Sequence, residues 1–149
     1  MEDVKSTHNR MVVIGLTDEV RRFMRRAGSD AADLDLAKLW PIPYSPPRDD
    51  ANLDDYTKNV QKWCFEHWGN LGLTDVTSDT TQNDVTMAVT YRFNIAEDHA
   101  GYCPNLEWFM NLAKEFPNLR FDLFATRDEF VWTAACSGEY RERIYRSRL

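Results

Sequence analysis

Two cysteine–histidine pairs are the residues best suited to chemistry in this chain. Cys64 and His67 stand at C-x2-H, and His99 and Cys103 stand at H-x3-C. Thiolates and imidazoles in two paired sets are the ligands that a tetrahedral zinc ion takes. Against zinc, Cys64 falls on the apolar stripe of a helical segment, where a thiol packs as a small hydrophobic group. The combined spacing is also not that of a zinc finger. The expectation is a metal-free protein, with Cys64, His67, His99 and Cys103 as the ligand set if that expectation fails. The same side chains could serve nucleophilic catalysis, with Cys64 or Cys103 attacking, His67 or His99 as base and Asp98 behind it. A cysteine nucleophile needs a depressed pKa and a base within reach, and sequence shows neither. The phosphate-cradling, dinucleotide and metalloprotease signatures are all missing. Asp49-Asp50 and Asp54-Asp55 lie beside a helix start, where capping accounts for them. No catalytic residue and no cofactor are therefore expected.

Binding chemistry has more to work with. Arg21, Arg22, Arg25 and Arg26 share one helix, and Arg141, Arg143, Arg146 and Arg148 crowd the last nine residues against a single acid, Glu142. Both sets could neutralise phosphates, although the whole chain carries −6, a poor balance for a general nucleic-acid binder. Trp40, Tyr44, Trp68, Tyr102 and Trp108 fall at element ends or in loops. Exposed Trp and Tyr anchor protein interfaces. Pro41, Pro43, Pro46 and Pro47 make a stiff extended crossing that would present Tyr44 at low entropic cost. The binding residues expected from this pattern are Trp40, Tyr44, Trp68, Arg141, Arg143, Arg146 and Arg148.

The elements that must position these groups are legible from periodicity. The chain has 149 residues, 43% of them apolar, enough for one core and too many for a disordered chain. Three cysteines suit free thiols in a reducing compartment, so a cytoplasmic protein is expected. No apolar run approaches the roughly 18 residues of a membrane helix. Met11-Val12-Val13-Ile14 reads as a central strand within Thr7 to Gly15. Thr17 then reads as an N-cap, with Val20, Phe23, Met24 and Ala27 on the buried stripe of a helix that Gly28 stops. Leu34, Leu36, Leu39 and Trp40 fit a short strand or a helical turn. Tyr56, Val60, Trp63, Cys64 and His67 share a helical face that Gly69 closes in a left-handed conformation. Leu73 to Ser78 and Asp84 to Ile95 read as a hairpin turning at Asp79 to Asn83, and the second strand alternates over Val85, Met87, Val89, Tyr91, Phe93 and Ile95. Pro104 opens a helix that Pro117 ends. Two more strands follow, joined by a turn at Thr126-Arg127-Asp128. Residues from Tyr140 on read as an edge strand or a detached arm. The result is one α+β domain over residues 1–149, with a core of about 7–140, a basic C-terminal arm at 141–149, and helices on one face of a mostly antiparallel sheet.

Several runs in this order resemble the YubB ferredoxin-like domain family of plasmids and phages. They are Trp40-Pro41-Ile42-Pro43, Trp63-Cys64-Phe65-Glu66-His67-Trp68-Gly69-Asn70 and Phe116-Pro117-Asn118-Leu119-Arg120-Phe121, together with the early strand–helix unit. The family's Asn-Trp-Gly-Thr-Lys-Trp motif appears here as His67-Trp68-Gly69-Asn70-Leu71-Gly72, without the Lys-Trp pair. Its Thr-Ala-Trp-Ser-Pro-Pro segment is replaced by Ile95 to Pro104. The resemblance implies a ferredoxin-like two-layer sandwich and an accessory role on a mobile element, and it brings no known activity. The expected function is non-catalytic binding of an unidentified host or element-encoded protein. The alternative is a nucleic-acid-binding module using the basic first helix and the C-terminal arm, and the third reading is an enzyme using a Cys/His pair. No membrane contact is expected.

Overall fold

The structure is a computed structural model that describes residues 5–48, 50–70, 72–97, 106–138 and 141–148, the last segment as backbone. The apolar run Met11 to Ile14 lies in β1 (Lys5–Leu16), and its position explains its composition. Its neighbours are β3 (Thr86–Glu97) and β4 (Arg120–Arg127), with β2 (Thr74–Gln82) outside β3. β5 (Phe130–Cys136) and β6 (Arg141–Arg148) complete a six-stranded sheet among the described residues, in the order β2-β3-β1-β4-β5-β6. Every neighbouring pair is antiparallel. The helices are α1 (Thr17–Ala27), α2 (Leu36–Leu39), α3 (Leu53–His67) and α4 (Glu107–Glu115). The α+β expectation stands. β5 and β6 widen the sheet beyond β4, and α2 and α3 lie between α1 and β2.

Strand alternation sorts side chains between two faces. Met11, Val13, Val89, Tyr91, Phe93, Phe121 and Leu123 are buried beneath the helices. Phe23 of α1 sits at the centre, fully buried, with its ring edge-on to Tyr91 at 6.1 Å, Phe121 at 5.5 Å and Phe116 at 4.9 Å. Such tilted contacts suit the ring quadrupoles. Trp108 of α4 covers Phe93 from 5.7 Å. It is fully buried, which corrects its reading as an exposed aromatic. The opposite sheet face carries His8, Arg10, Arg92 and Phe124, all exposed.

Local chemistry moved several boundaries. Thr17 is the first residue of α1 rather than its cap. Its backbone N–H and its hydroxyl both donate to the Val85 carbonyl, at 3.1 and 3.2 Å, tying the helix start to the β2–β3 turn. Asn83 tightens that turn, its Oδ1 accepting from the N–H groups of Val85 and Thr86 at 3.0 and 2.8 Å. Asp79 to Gln82 therefore pair as strand. The β4–β5 turn falls at Asp128-Glu129, with Asp128 at φ 54°. Residues 36–39 resolve as a helical turn, capped by the Asp35 carboxylate on the Ala37 N–H at 3.0 Å. Pro104, expected to open α4, lies outside the described residues.

Tyr91 is an exception inside the core. Its hydroxyl is buried and finds no hydrogen-bond partner among the described residues. Burial, and after it the negative charge of Asp33, raises the phenol above its ordinary value of 10.0. The folded state thus keeps the proton that an unfolded chain releases. The associated stability is complete below about pH 10 and is lost as pH rises towards the folded value. Tyr91→Phe removes an unpaired polar group and the ionisation together. Urea titrations should show it as stable as wild type or more so at pH 7, with a shallower loss above pH 10. Phe23→Ala, by contrast, should cost about 3–5 kcal/mol at any pH in the same measurement. A destabilised Tyr91→Phe at pH 7 would show that the hydroxyl is satisfied.

Candidate functional site

Two surfaces bring chemically capable residues together, one on the helical layer and one on the open sheet face. On the helical side the proline-rich crossing meets α3. Trp68, just past the C-terminus of α3, is 4% exposed, and its indole N–H donates to the Trp40 carbonyl at 3.2 Å. That bond fixes the crossing where it leaves α2. Gly69 follows at φ 76°, and its N–H caps the Cys64 carbonyl at 3.1 Å. The buried Asn70 then accepts the Gly72 N–H at 2.7 Å. Trp68 is consequently a structural plug, and its expected place among the binding residues is corrected by its burial. Asn70 went unnoticed in the sequence, although an Asn after a helix-ending Gly is a turn signal.

α3 itself is poorly covered. Of its apolar stripe only Cys64 is buried; Tyr56, Val60 and Trp63 are half-buried and His67 is exposed. The His67 ring stacks on Trp63 at 4.2 Å, and its Nδ1–H donates to the Trp63 carbonyl at 2.9 Å. Leu39, Trp40, Pro41, Trp63, His67 and Asn111 line a groove of about 370 Å³. Trp40 is half-buried along it, and Tyr44, 44% exposed, stands four residues further along the crossing. Cys64 shows none of the features of a nucleophile, since burial pushes its thiol above the ordinary range. Among the described residues no group of three or more His, Cys, Asp or Glu side chains could hold a metal. His99, Cys103, Asp98 and Tyr102 lie outside the described residues. Cys136 is buried, with its thiol on the Phe109 carbonyl at 3.6 Å.

Three of the four α1 arginines have partners close by. Arg21 donates to Gln82 at 3.3 Å, Arg22 pairs with Glu19 at 3.8 Å, and Arg26 lies over the Phe116 ring at 5.2 Å. Arg141, Arg143, Arg146 and Arg148 lie in β6, which pairs with β5 from Phe130↔Arg148 to Cys136↔Arg141. The segment is thus an edge strand and not a detached arm. A charged edge strand discourages pairing with a second sheet.

The open sheet face is the surface that periodicity alone did not bring together. Register sets Arg10 of β1 directly opposite Arg92 of β3 on one side and Phe124 of β4 on the other. The Arg10 guanidinium lies over the Phe124 ring, 5.3 Å from its centroid, and Phe124 is 41% exposed. One row along, His8 faces Asn94 and Thr126. His8 Nδ1 meets Asn94 Oδ1 at 2.6 Å, while Asn94 Nδ2 donates to Asp75 at 3.1 Å. With Asn94 oriented by Asp75, its Oδ1 can only accept, so the imidazole Nδ1 is the donor in this contact. Arg92 donates to Asp79 at 3.2 Å, an exposed pair. These residues rim a depression of about 400 Å³. No helix of the described residues is long and apolar enough to cross a membrane.

Comparison with family models, with curated proteins and with solved structures returns no match. The likeness described above therefore rests on the residues that carry it.

The geometry at Gly69 predicts that Gly69→Val lowers the thermal midpoint by several degrees, since a β-branched residue held at positive φ costs about 1–3 kcal/mol. An unchanged midpoint in a calorimetric scan would show that α3 can end in another way. The burial of two thiols predicts a second result. Brief treatment of the native protein with iodoacetamide at pH 7.5 should leave Cys64 and Cys136 unmodified by peptide mass mapping, and protein purified without chelator should carry far less than one zinc per chain. One zinc per chain, released on chelation with loss of structure, would instead assign the Cys/His set as ligands.

Proposed function

We propose that this chain is a non-catalytic binding protein whose partner, a host or element-encoded protein, docks where the proline-rich crossing meets α3. The observation that carries this reading is the apolar stripe of α3, which the domain leaves half-uncovered beside the groove. A helix face with Tyr56, Val60 and Trp63 only partly packed retains apolar surface for a partner to bury, at about 25 cal/mol per Å². The rim is partly ordered before binding, the Trp40 backbone through its carbonyl and the Trp63 indole by its stack with His67. Anchors ordered before binding lose little entropy on association. Tyr44 extends the surface along a stiff segment. The lack of a lowered thiol pKa at Cys64 supports a binding role over a Cys/His enzyme. We also read the sheet as ferredoxin-like at its centre. The order β4-β1-β3-β2, with α1 following β1 and α4 following β3, is a split β-α-β arrangement, onto which β5 and β6 are added. Membership of the YubB family, and with it a plasmid or phage accessory role, follows from the sequence resemblance.

Affinity capture from host lysate, with nuclease present, tests the docking surface. Wild type should recover a defined protein that Tyr44→Ala and His67→Ala each lose by tenfold or more, both positions being exposed enough to spare the fold. Val85→Ser alters an exposed apolar side chain (63% exposed) away from the groove and should retain it. Capture that is indifferent to the groove variants, or that disappears on nuclease treatment, would overturn the proposal.

A further inference from the structure

We infer that the open sheet face is a second, separate site, and that it takes single-stranded nucleic acid, a phosphate between Arg10 and Arg92 and a base against Phe124. Like charges directly opposite across an antiparallel pair oppose pairing. Here they stand in the middle of the sheet, where nothing in the fold requires them. Asp79 offsets Arg92 through an exposed contact, but no carboxylate among the described residues lies within ion-pair distance of Arg10. The Arg10 guanidinium is held over Phe124 instead. Two guanidinium groups in one cross-strand row suit a phosphate, which they can bind through their N–H forks.

The neighbouring groups favour a nucleotide chain over a bare anion. A large aromatic ring in the middle of an uncovered sheet face adds nothing to the core on the other side. With the guanidinium laid on it, it offers a flat surface on which a base can stack, as both aromatic and arginine planes do. The exposed His8 and the half-exposed Asn94 and Thr126 supply hydrogen-bonding groups one row along, beside the position of a base edge. A flat sheet that presents one ring and separate polar groups suits unpaired bases. A duplex hides its base faces. The solvent face of β3 alone, with Thr86, Ala88, Thr90, Arg92 and Asn94, holds no aromatic. The aromatic comes from β4, beyond the intervening β1.

The test is fluorescence anisotropy of the full chain with a labelled oligothymidylate of about twelve nucleotides, a length that one such face can engage. Binding should appear at low salt and fall linearly in log salt. Arg10→Gln with Arg92→Gln should lower that slope by about 0.7–1.4. Phe124→Ala should weaken binding roughly 5- to 100-fold with the slope unchanged. Phe124→Leu, which keeps an apolar side chain in β4, should lose nearly as much and guards against a folding defect. The groove variants Tyr44→Ala and His67→Ala should bind as wild type, so the two surfaces fail or succeed separately. Four results would overturn the inference. They are no binding at low salt, binding unaffected by all three face positions, binding lost only when residues 141–149 are changed, and a mononucleotide or inorganic phosphate binding as tightly as the oligonucleotide.

Discussion

The packing of Phe23 fixes more of this molecule than any other contact. One ring on α1 meets β3 through Tyr91, β4 through Phe121 and the end of α4 through Phe116. β1 runs between those two strands, so the helical layer is pinned over the centre of the sheet. The pin decides which face of every strand is buried, because a strand cannot turn one residue inward without turning its neighbours outward. Once Met11, Val13, Tyr91 and Phe121 lie beneath the helices, Arg10, Arg92 and Phe124 must share the other face. The arrangement of the sheet-face site is therefore a consequence of core packing and register.

The runs on which the proposed likeness to the YubB family rests fall at joints of this frame. Trp40 and Trp68, from two separate runs, meet in one indole-to-carbonyl hydrogen bond. Gly69 and Asn70 shape the turn that follows. Phe116, from the third run, is the nearest ring to Phe23, and the Pro117 carbonyl lies so close to Gly138 that a Cβ there would stand 2.5 Å from it. Gly138 thus admits β5 beside the end of α4. Residues of this kind fix how elements join and leave open what the surfaces bind, so a likeness built on them carries fold information and little functional information.

Much of the frame was legible because its periods are local. The alternation from Val85 to Ile95 and the stripe of Val20, Phe23, Met24 and Ala27 each lie within a short stretch, and the structure keeps both except at Val85, which falls in the turn before β3 and is exposed, and at Met24, which is half-buried. The left-handed Gly69 could be read in the same way. What could not be read depends on distant partners. Thr17 looked like a cap because Val85, 68 residues on, was not visible as its acceptor. Trp68 looked available because the carbonyl that takes its N–H belongs to a residue 28 positions earlier. The stripe of α3 was legible as a face, but how little of it is covered depends on where the other helices sit. The Arg10–Arg92–Phe124 row joins three strands through two registers, and no spacing along the chain announces it. Pairing β6 with β5 likewise converts four arginines from a terminal cluster into part of a sheet edge.

The sheet separates the two proposed surfaces physically. The groove is built from α3, the crossing after α2 and one residue of α4, all on the covered side, whereas the arginine row faces away on the open side. Between them lies the densest packing in the molecule, with Phe23, Tyr91, Phe93 and Trp108 almost fully buried. A close-packed layer of this kind transmits large displacements only if it can adopt a second packing, and none is evident among the described residues. Ligands on the two sides should therefore act as independent additions to one folded state, each stabilising it by its own mass-action term. The same separation explains how an acidic chain can carry a phosphate-attracting patch. Charge is felt over roughly a Debye length, about 8–10 Å at ordinary ionic strength. A paired row of arginines on one face is therefore governed by the carboxylates of that face, Asp75, Asp79 and Asp122, much more than by acids scattered over the helical layer.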